Sequence, residues 1–246
     1  ESKLPEEVQA VQQFVESTVI EKLSECGISK LDELSITPAP LTIEELSDSE
    51  GITELDESAI LRWINNKFEP HHLIRNVRRS LWSVNETKNL HNIAANNWSE
   101  REGSRALWME SYHRIKSEDF NKSWLIDKIN LISQDNTATA ALLIEDALEL
   151  TDDSDIRMQA VDLAFERAEY EIAENHISNI ETSPQKKILI ARLSRIRGDL
   201  ESAINLENQA ISELSSAERV RFQISMLVRK YDDRLPGKLS KSLADE

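Results

Sequence analysis

Residues 183–214 constrain the fold most, because they carry two amphipathic segments joined by a glycine turn. Ser183 suits a helix N-cap and Pro184 the first helical position, and apolar residues then recur at the helical period of about 3.6 residues. Gly198 followed by Asp199 interrupts this helix, and a second segment follows with alanines along one side. The sequence therefore predicts a hairpin of two helices whose backbones approach closely at the alanines.

Small residues recur in this hairpin at fixed positions. They are Ala191, Gly198, Ala203 and Ala210, at spacings of 7, 5 and 7 residues. This pattern resembles a tetratricopeptide repeat, although Ser194 and Glu207 stand where that family usually has larger residues. The resemblance implies an all-α fold of helical hairpins stacked as a superhelix. It also implies a concave groove lined by the first helix of each hairpin.

The same register extends upstream of the hairpin. Ala173 lies 30 residues before Ala203, and Ala140 lies a further 33 residues before Ala173. These intervals are close to the repeat length of about 34 residues in this family. Ala168 takes the place of the turn glycine in the middle repeat. The resemblance covers about residues 121–215.

The sequence predicts four regions. They are an N-terminal helical unit over 1–68, helical hairpins over 69–120 that continue into the repeats, tetratricopeptide-like repeats with a capping helix over 121–231, and a flexible tail over 232–246. Val220 and Ile224 belong to the apolar stripe with which the capping helix is expected to cover the last repeat. Only five glycines and six prolines occur in 246 residues, which favours long helices and almost no sheet.

Several helix boundaries follow from local signals. One helix is expected from Pro5 to Cys26, ending at Gly27, and another over residues 56–68, where Trp63 belongs to the apolar stripe. Further starts are predicted from capping residues, namely capping boxes at Thr42–Glu45 and Ser99–Glu102 and an N-cap at Asn85.

Residues 19–63 show a weaker resemblance to helix-hairpin-helix domains. Those domains place a leucine, a short polar gap and Gly-Ile before a new helix, as at Gly27-Ile28 and Gly51-Ile52 here. The DNA-binding form uses a Gly-x-Gly hairpin whose backbone N–H groups meet a phosphate. Neither place in this chain supplies the second glycine.

The formal net charge of −16 argues against non-specific binding to nucleic acid or anionic lipid. Residues 1–59 carry 15 acidic and 3 basic side chains, whereas residues 60–82 carry five basic and one acidic. Arg75, Arg78 and Arg79 lie in that basic stretch and are a possible anion-binding patch. The other interpretation is that they pair with the acidic N-terminal region of the same molecule.

No catalytic constellation is evident in the sequence. The single cysteine, Cys26, and the five histidines form no metal-binding motif, and no glycine-rich phosphate loop occurs. Glu69–His72 and Glu110–His113 have the i, i+3 spacing of di-iron bundles, but further inward-facing glutamates would be needed. We therefore expect a protein that is not an enzyme and has no metal, no cofactor and no small-molecule substrate.

The remaining class is recognition of another protein or peptide through the groove that the resemblance implies. The groove side is expected to include Asp155, Met158, Asp162, Phe165, Arg192 and Arg195. The two arginines are candidates for holding a carboxylate of a peptide, or for pairing within the chain with Asp162 and Glu166. The sequence thus favours a cytoplasmic interaction scaffold without a membrane segment. The alternative is a nucleic-acid-associated factor that uses the basic stretch 62–79 and the helix-hairpin-helix unit.

Overall fold

The structure is a computed structural model, and residues 6–232 are described. Its internal packing divides the chain after Leu150 into two compact units. The division predicted from the sequence has its boundaries at other points, after residues 68 and 120, and the predicted tail lies outside the described residues apart from Asp232. The predicted fold class is confirmed, since helices packed as adjacent pairs account for most of the described chain.

The first unit contains α1 to α8 and one small sheet. Its helices are α1 Glu6–Thr18, α2 Glu25–Ile36, α3 Ile52–Glu57, α4 His72–Ser80, α5 Val84–Ser99, α6 Ser104–Ser117, α7 Lys122–Asp135 and α8 Thr137–Leu148. Short 3-10 helices cover Ile20–Lys22 and Ile43–Glu45, and strands β1 Leu61–Ile64 and β2 Lys67–Pro70 pair antiparallel. Leu31, Leu55, Phe68 and Met109 are fully buried in its core.

The second unit is built from two helical hairpins and a final helix. Its helices are α9 Ser154–Glu166, α10 Tyr170–Ser178, α11 Pro184–Ile196, α12 Leu200–Glu213 and α13 Ser216–Asp232. The Ser183 hydroxyl accepts a hydrogen bond from the Lys186 N–H (3.1 Å), as expected of the predicted N-cap. The alanines of the repeat register, Ala140 in the first unit and Ala173, Ala191, Ala203 and Ala210 in this one, are all fully buried. The spacing of small residues therefore marks the places where helices meet.

The predicted helix over 56–68 is wrong. The chain forms a β-hairpin there, with Trp63 opposite Phe68 in the register and Asn65 in the left-handed conformation (φ 58°) at the turn. Asparagine tolerates positive φ better than most residues, and the common two-residue turns of β-hairpins require positive φ. Leu41 pairs with the other edge of β2, accepting from the Phe68 N–H at 2.8 Å and donating to its carbonyl at 3.0 Å. This long-range pairing stabilises a strand where the apolar pattern alone suggested a helix.

The predicted helix from Pro5 to Cys26 is also wrong in its extent. The observed helix α1 ends at Thr18, and α2 starts after Ser24, whose hydroxyl accepts from the Gly27 N–H at 3.1 Å. Gly27 thus lies in the first turn of α2 rather than after the end of α1. Gly51 caps α3 in the left-handed conformation (φ 78°), and a Cβ there would lie 2.5 Å from the Cys26 carbonyl. Glycine at 51 therefore permits a close approach between the starts of α2 and α3.

Two predicted caps are replaced by neighbouring residues. The helix α5 starts after Ser83 rather than Asn85, because Ser83 and Glu86 close a capping box at 3.2 and 2.7 Å. Ser99 remains inside α5, since its hydroxyl donates back to the Asn96 carbonyl, and α6 starts after Gly103. The Thr42–Glu45 capping box is confirmed, but it starts only the single 3-10 turn Ile43–Glu45.

Candidate protein-interaction groove

Three helices of the second unit enclose an open cavity. Its volume is about 540 Å³, and its walls come from α9, α11 and α13. The lining residues are Met158, Asp162, Gln185, Ile188, Leu189, Arg192, Phe222 and Ser225. Apolar side chains thus share this cavity with one acid, one base and two neutral polar groups.

Arg192 and Asp162 form an ion pair across the cavity, from α11 to α9. The Arg192 Nη1 lies 3.0 Å from the Asp162 Oδ1, and both side chains are about half-exposed. Partial desolvation raises the pKa of Asp162, and Arg192 offsets this rise only in part. The guanidinium also lies over the ring of Phe165, 4.2 Å from its centroid. The guanidinium therefore contacts one carboxylate oxygen and one aromatic face.

Three of the six residues predicted for the groove line this cavity, namely Met158, Asp162 and Arg192. Phe165 is 7% exposed and belongs to the core beneath Arg192 rather than to the groove surface. Asp155 is exposed in the first turn of α9, outside the cavity lining, where a carboxylate complements the helix dipole.

Arg195 is directed away from the predicted groove. Its Nε and Nη2 donate to the two carboxylate oxygens of Glu207 at 3.0 and 2.7 Å. Of the two carboxylates considered as intrachain partners of these arginines, Asp162 pairs with Arg192, whereas Arg195 pairs with Glu207, which the sequence did not suggest. Glu207 is only 1% exposed, so this ion pair replaces the larger residue that the repeat family usually has at this position.

The final helix contributes a wall that the sequence analysis missed. Phe222 and Ser225 of α13 face the cavity, and Glu218 one turn earlier accepts from the Gln185 amide of α11 at 3.1 Å. The predicted stripe is wrong in this respect, since Val220 and Ile224 are more than half exposed. The spacing of 218, 222 and 225 places these residues on one helix face, but only Phe222 is apolar, so hydrophobic periodicity does not reveal the face.

The predicted anion patch is occupied by partners within the chain. Arg75 pairs with Glu69 at 2.9 Å, and Arg78 holds both oxygens of Asp32 at 2.5 and 2.9 Å. The Arg79 Nε donates to the Ser35 carbonyl at 2.6 Å, and burial lowers the pKa of Arg79. The Arg78–Asp32 pair matches the interpretation that the basic stretch pairs with the acidic N-terminal region, whereas Arg75 pairs with Glu69 of the same stretch and Arg79 bonds a neutral carbonyl.

The helix-hairpin-helix resemblance would offer the start of α2 to a phosphate. In the structure, a carboxylate of the same chain occupies this position. The Glu54 side chain accepts from the backbone N–H of Ser24 at 2.7 Å and from its hydroxyl. These hydrogen bonds lower the pKa of Glu54. An anion from outside would have to displace this carboxylate.

The two candidate Glu–His pairs do not converge on a metal site. Glu69 binds Arg62 and Arg75, Glu110 binds Arg114 and Lys128, and His113 contacts His91. Over residues 6–232, no group of three or more histidine, cysteine, aspartate or glutamate side chains is placed to hold a metal ion. Within the same range, none of the helices is long and apolar enough to cross a membrane.

Comparison with known proteins supports the repeat fold. No protein-family model matches the chain, and no curated protein matches it in sequence. The structure is similar to a crystal structure of a Signal Transduction ATPase with Numerous Domains protein with a tetratricopeptide repeat sensor, from Pyrococcus horikoshii. The TM-score is 0.57 at 13% sequence identity, with all of this chain aligned to 40% of that chain. This likeness shows a tetratricopeptide-like helical repeat fold.

Proposed function

We propose that this protein is an interaction module that binds a segment of a partner protein in the cavity between α9, α11 and α13. The observation that carries the proposal is an open cavity of about 540 Å³ that combines four apolar lining residues with the half-exposed Arg192–Asp162 pair. Binding cavities typically have volumes of about 300–1,000 Å³ and combine apolar side chains with polar groups that fix the orientation of the ligand.

The expected ligand places an apolar side chain between Ile188, Leu189 and Phe222, and an acidic or amide group at Arg192. The apolar contact supplies most of the affinity, and the arginine fixes the orientation, because guanidinium bonds to carboxylates and carbonyls are directional. Binding without catalysis, in the cytoplasm, is the role we propose. The similar structure from Pyrococcus horikoshii contains a repeat sensor, which is consistent with a recognition role.

The test is selection of peptides from a displayed library on the intact chain, followed by affinity measurement with three variants. Arg192→Glu is expected to weaken the selected peptides about 10-fold or more, corresponding to about 1.4 kcal/mol. Arg197→Glu is the matched control, since Arg197 pairs with Glu174 at the surface and does not line the cavity. It is expected to leave binding unchanged.

The charge-swapped variant Asp162→Arg with Arg192→Asp separates recognition from stability. It restores an ion pair across the cavity but moves the cation from α11 to α9, so peptide binding should remain weak while the fold is retained. Peptides that bind equally well to the wild type and the Arg192→Glu variant would place the interface elsewhere and contradict the proposal.

A further inference from the structure

A pair of buried histidines joins α5 to α6 in the first unit. The Nδ1 atoms of His91 and His113 lie 2.8 Å apart, which is hydrogen-bond distance. His113 is fully buried and His91 is 6% exposed. Tyr112 packs edge-on against both rings, at centroid distances of 5.8 and 5.2 Å. The groove in the second unit uses none of these residues.

This contact requires at least one of the two rings to be uncharged at Nδ1. One Nδ1 must carry the hydrogen and the other must accept it, whereas a protonated imidazole carries hydrogens on both nitrogens. Two protonated rings would therefore direct N–H groups at each other. The Nε2 of His113 is buried without a hydrogen-bond partner, so an added charge on that ring would gain no compensating contact.

The charged groups around the pair oppose protonation. Burial, and then the cations Arg79 of α4 and Lys116 of α6, lower the pKa of His91 to about 4. Burial, and then the neighbouring His91, lower the pKa of His113 to about 3. Tyr112 faces both rings as a neutral phenol, because burial raises its pKa.

The carboxylates of the packed elements are engaged elsewhere. Asp146 of α8 pairs with Lys116 at 3.0 Å, and Asp32 of α2 is held by Arg78. Glu110 of α6 binds Arg114 and Lys128, and Glu118 binds Lys88. Among the described residues, no carboxylate is hydrogen-bonded to either imidazole, so no counter-charge meets an incoming proton.

We propose that the His91–His113 pair is a proton-sensitive lock that holds α5 against α6 while both rings are neutral and releases the two helices in mild acid. Since α5 also packs against α2, the release would loosen the N-terminal half of the first unit.

The sign follows from proton linkage. Both rings have a pKa in the folded state below the ordinary value of about 6.5, so the open state binds protons that the closed state excludes. The contribution of the two rings to the closed state, in which α5 packs against α6, is therefore fully present above about pH 6.5 and is lost as the pH falls toward about 4 for His91 and about 3 for His113. Within this window, each ring increases the equilibrium constant for opening by up to about 10-fold for each pH unit that the pH falls.

Hydrogen exchange measured by mass spectrometry on the full chain tests the lock. From pH 7.0 to 5.5, after correction for intrinsic exchange, opening of the α5 and α6 amides should increase about 10-fold or more. Amides of α11 and α12 in the second unit serve as the internal reference. The variant with His91→Leu and His113→Leu should abolish the pH dependence. Equal protection at both pH values, or the same increase in the variant, would overturn the proposal.

A second measurement keeps the test valid if the double variant fails to fold. Long-range proton–nitrogen NMR spectra of the wild type report the protonation of each histidine ring directly. The rings of His91 and His113 should stay neutral as long as the α5 and α6 amides are protected, and gain protons as protection is lost. Protonation of both rings with protection retained would refute the lock.

Discussion

The Arg195–Glu207 ion pair of the second unit provides a test of how this hairpin differs from the tetratricopeptide repeat pattern that it resembles. Replacing Arg195 by methionine removes the two hydrogen bonds, at 3.0 and 2.7 Å, that the guanidinium donates to Glu207. The Glu207 side chain is 1% exposed, so its carboxylate remains largely desolvated when the arginine is removed. Breaking one half of a buried pair costs about 3–5 kcal/mol. Because the Arg195 side chain is 30% exposed, we expect the lower end, about 3 kcal/mol.

The double variant Arg195→Met with Glu207→Leu separates the charge effect from packing. It places apolar side chains at both positions, including the one where the repeat family usually has a larger residue. Replacement of a buried ion pair by apolar residues of similar volume is often neutral or stabilising. We therefore expect the double variant to recover to within about 1 kcal/mol of the wild type.

Urea unfolding distinguishes the two units because all five tryptophans, at 63, 82, 98, 108 and 124, lie in the first. The unfolding transition of the first unit, followed by tryptophan fluorescence, should be the same in the variants as in the wild type. Circular dichroism and hydrogen exchange of α11 and α12 report the second unit. A loss below about 1 kcal/mol in the single variant, or a double variant as unstable as the single, would refute the reasoning. The result also decides how binding data are interpreted, since a charge reversal at Arg195 would act through stability rather than through the groove.

Three further outcomes are expected. Ala168→Gly should stabilise the second unit by about 1 kcal/mol in urea unfolding followed by circular dichroism, because Ala168 holds a φ of 57° that costs a residue with a Cβ; destabilisation would contradict this. Asp32→Asn should destabilise the first unit by about 3 kcal/mol, measured by tryptophan fluorescence, because it breaks a largely buried bidentate pair with Arg78; an unchanged midpoint would show that the pair contributes little. Lowering the pH from 7 to 5 should destabilise the first unit by about 2 kcal/mol for each of His91 and His113, since each folded-state pKa lies below about 6.5 and stability is lost as the pH falls; a flat profile by the same fluorescence assay would contradict the linkage.

The repeat hairpins could be predicted because their signals are local. The N-cap at Ser183, the proline at 184 and the left-handed Gly198 (φ 85°) each act within one helical turn. Buried alanines then mark the helix contacts, and this register was enough to place Met158, Asp162 and Arg192 at one cavity. Local chemistry and tertiary packing agree in this part of the chain.

The β-hairpin could not be predicted in the same way. The apolar residues around Trp63 fit a helical stripe as well as a strand, and short apolar runs do not distinguish the two. The Asn65-Asn66 turn and the pairing of Phe68 with Leu41 decide the outcome, and the second of these joins residues 27 positions apart in the sequence.

The wall supplied by α13 was missed for a related reason. Its apolar stripe predicts that Val220 and Ile224 are buried, but the helix presents Glu218, Phe222 and Ser225 to α11. A hydrogen bond between Glu218 and Gln185 joins this face of α13 to α11. Rotation of a helix about its own axis depends on its neighbours, and the periodicity of its own sequence does not fix it when both faces carry apolar residues.

The sequence by itself determined the helical class, the repeat register and the places where backbones meet, because helix formation and capping depend on residues a few positions apart. Only the tertiary structure decided which charges remain available to a partner. Arg78 is taken by Asp32 and Arg195 by Glu207, whereas Arg192 stays half-exposed at the cavity. The physical reason is that ion pairing is set by distances in space, across 46 residues in the case of Asp32 and Arg78, and composition records only the sum of the charges.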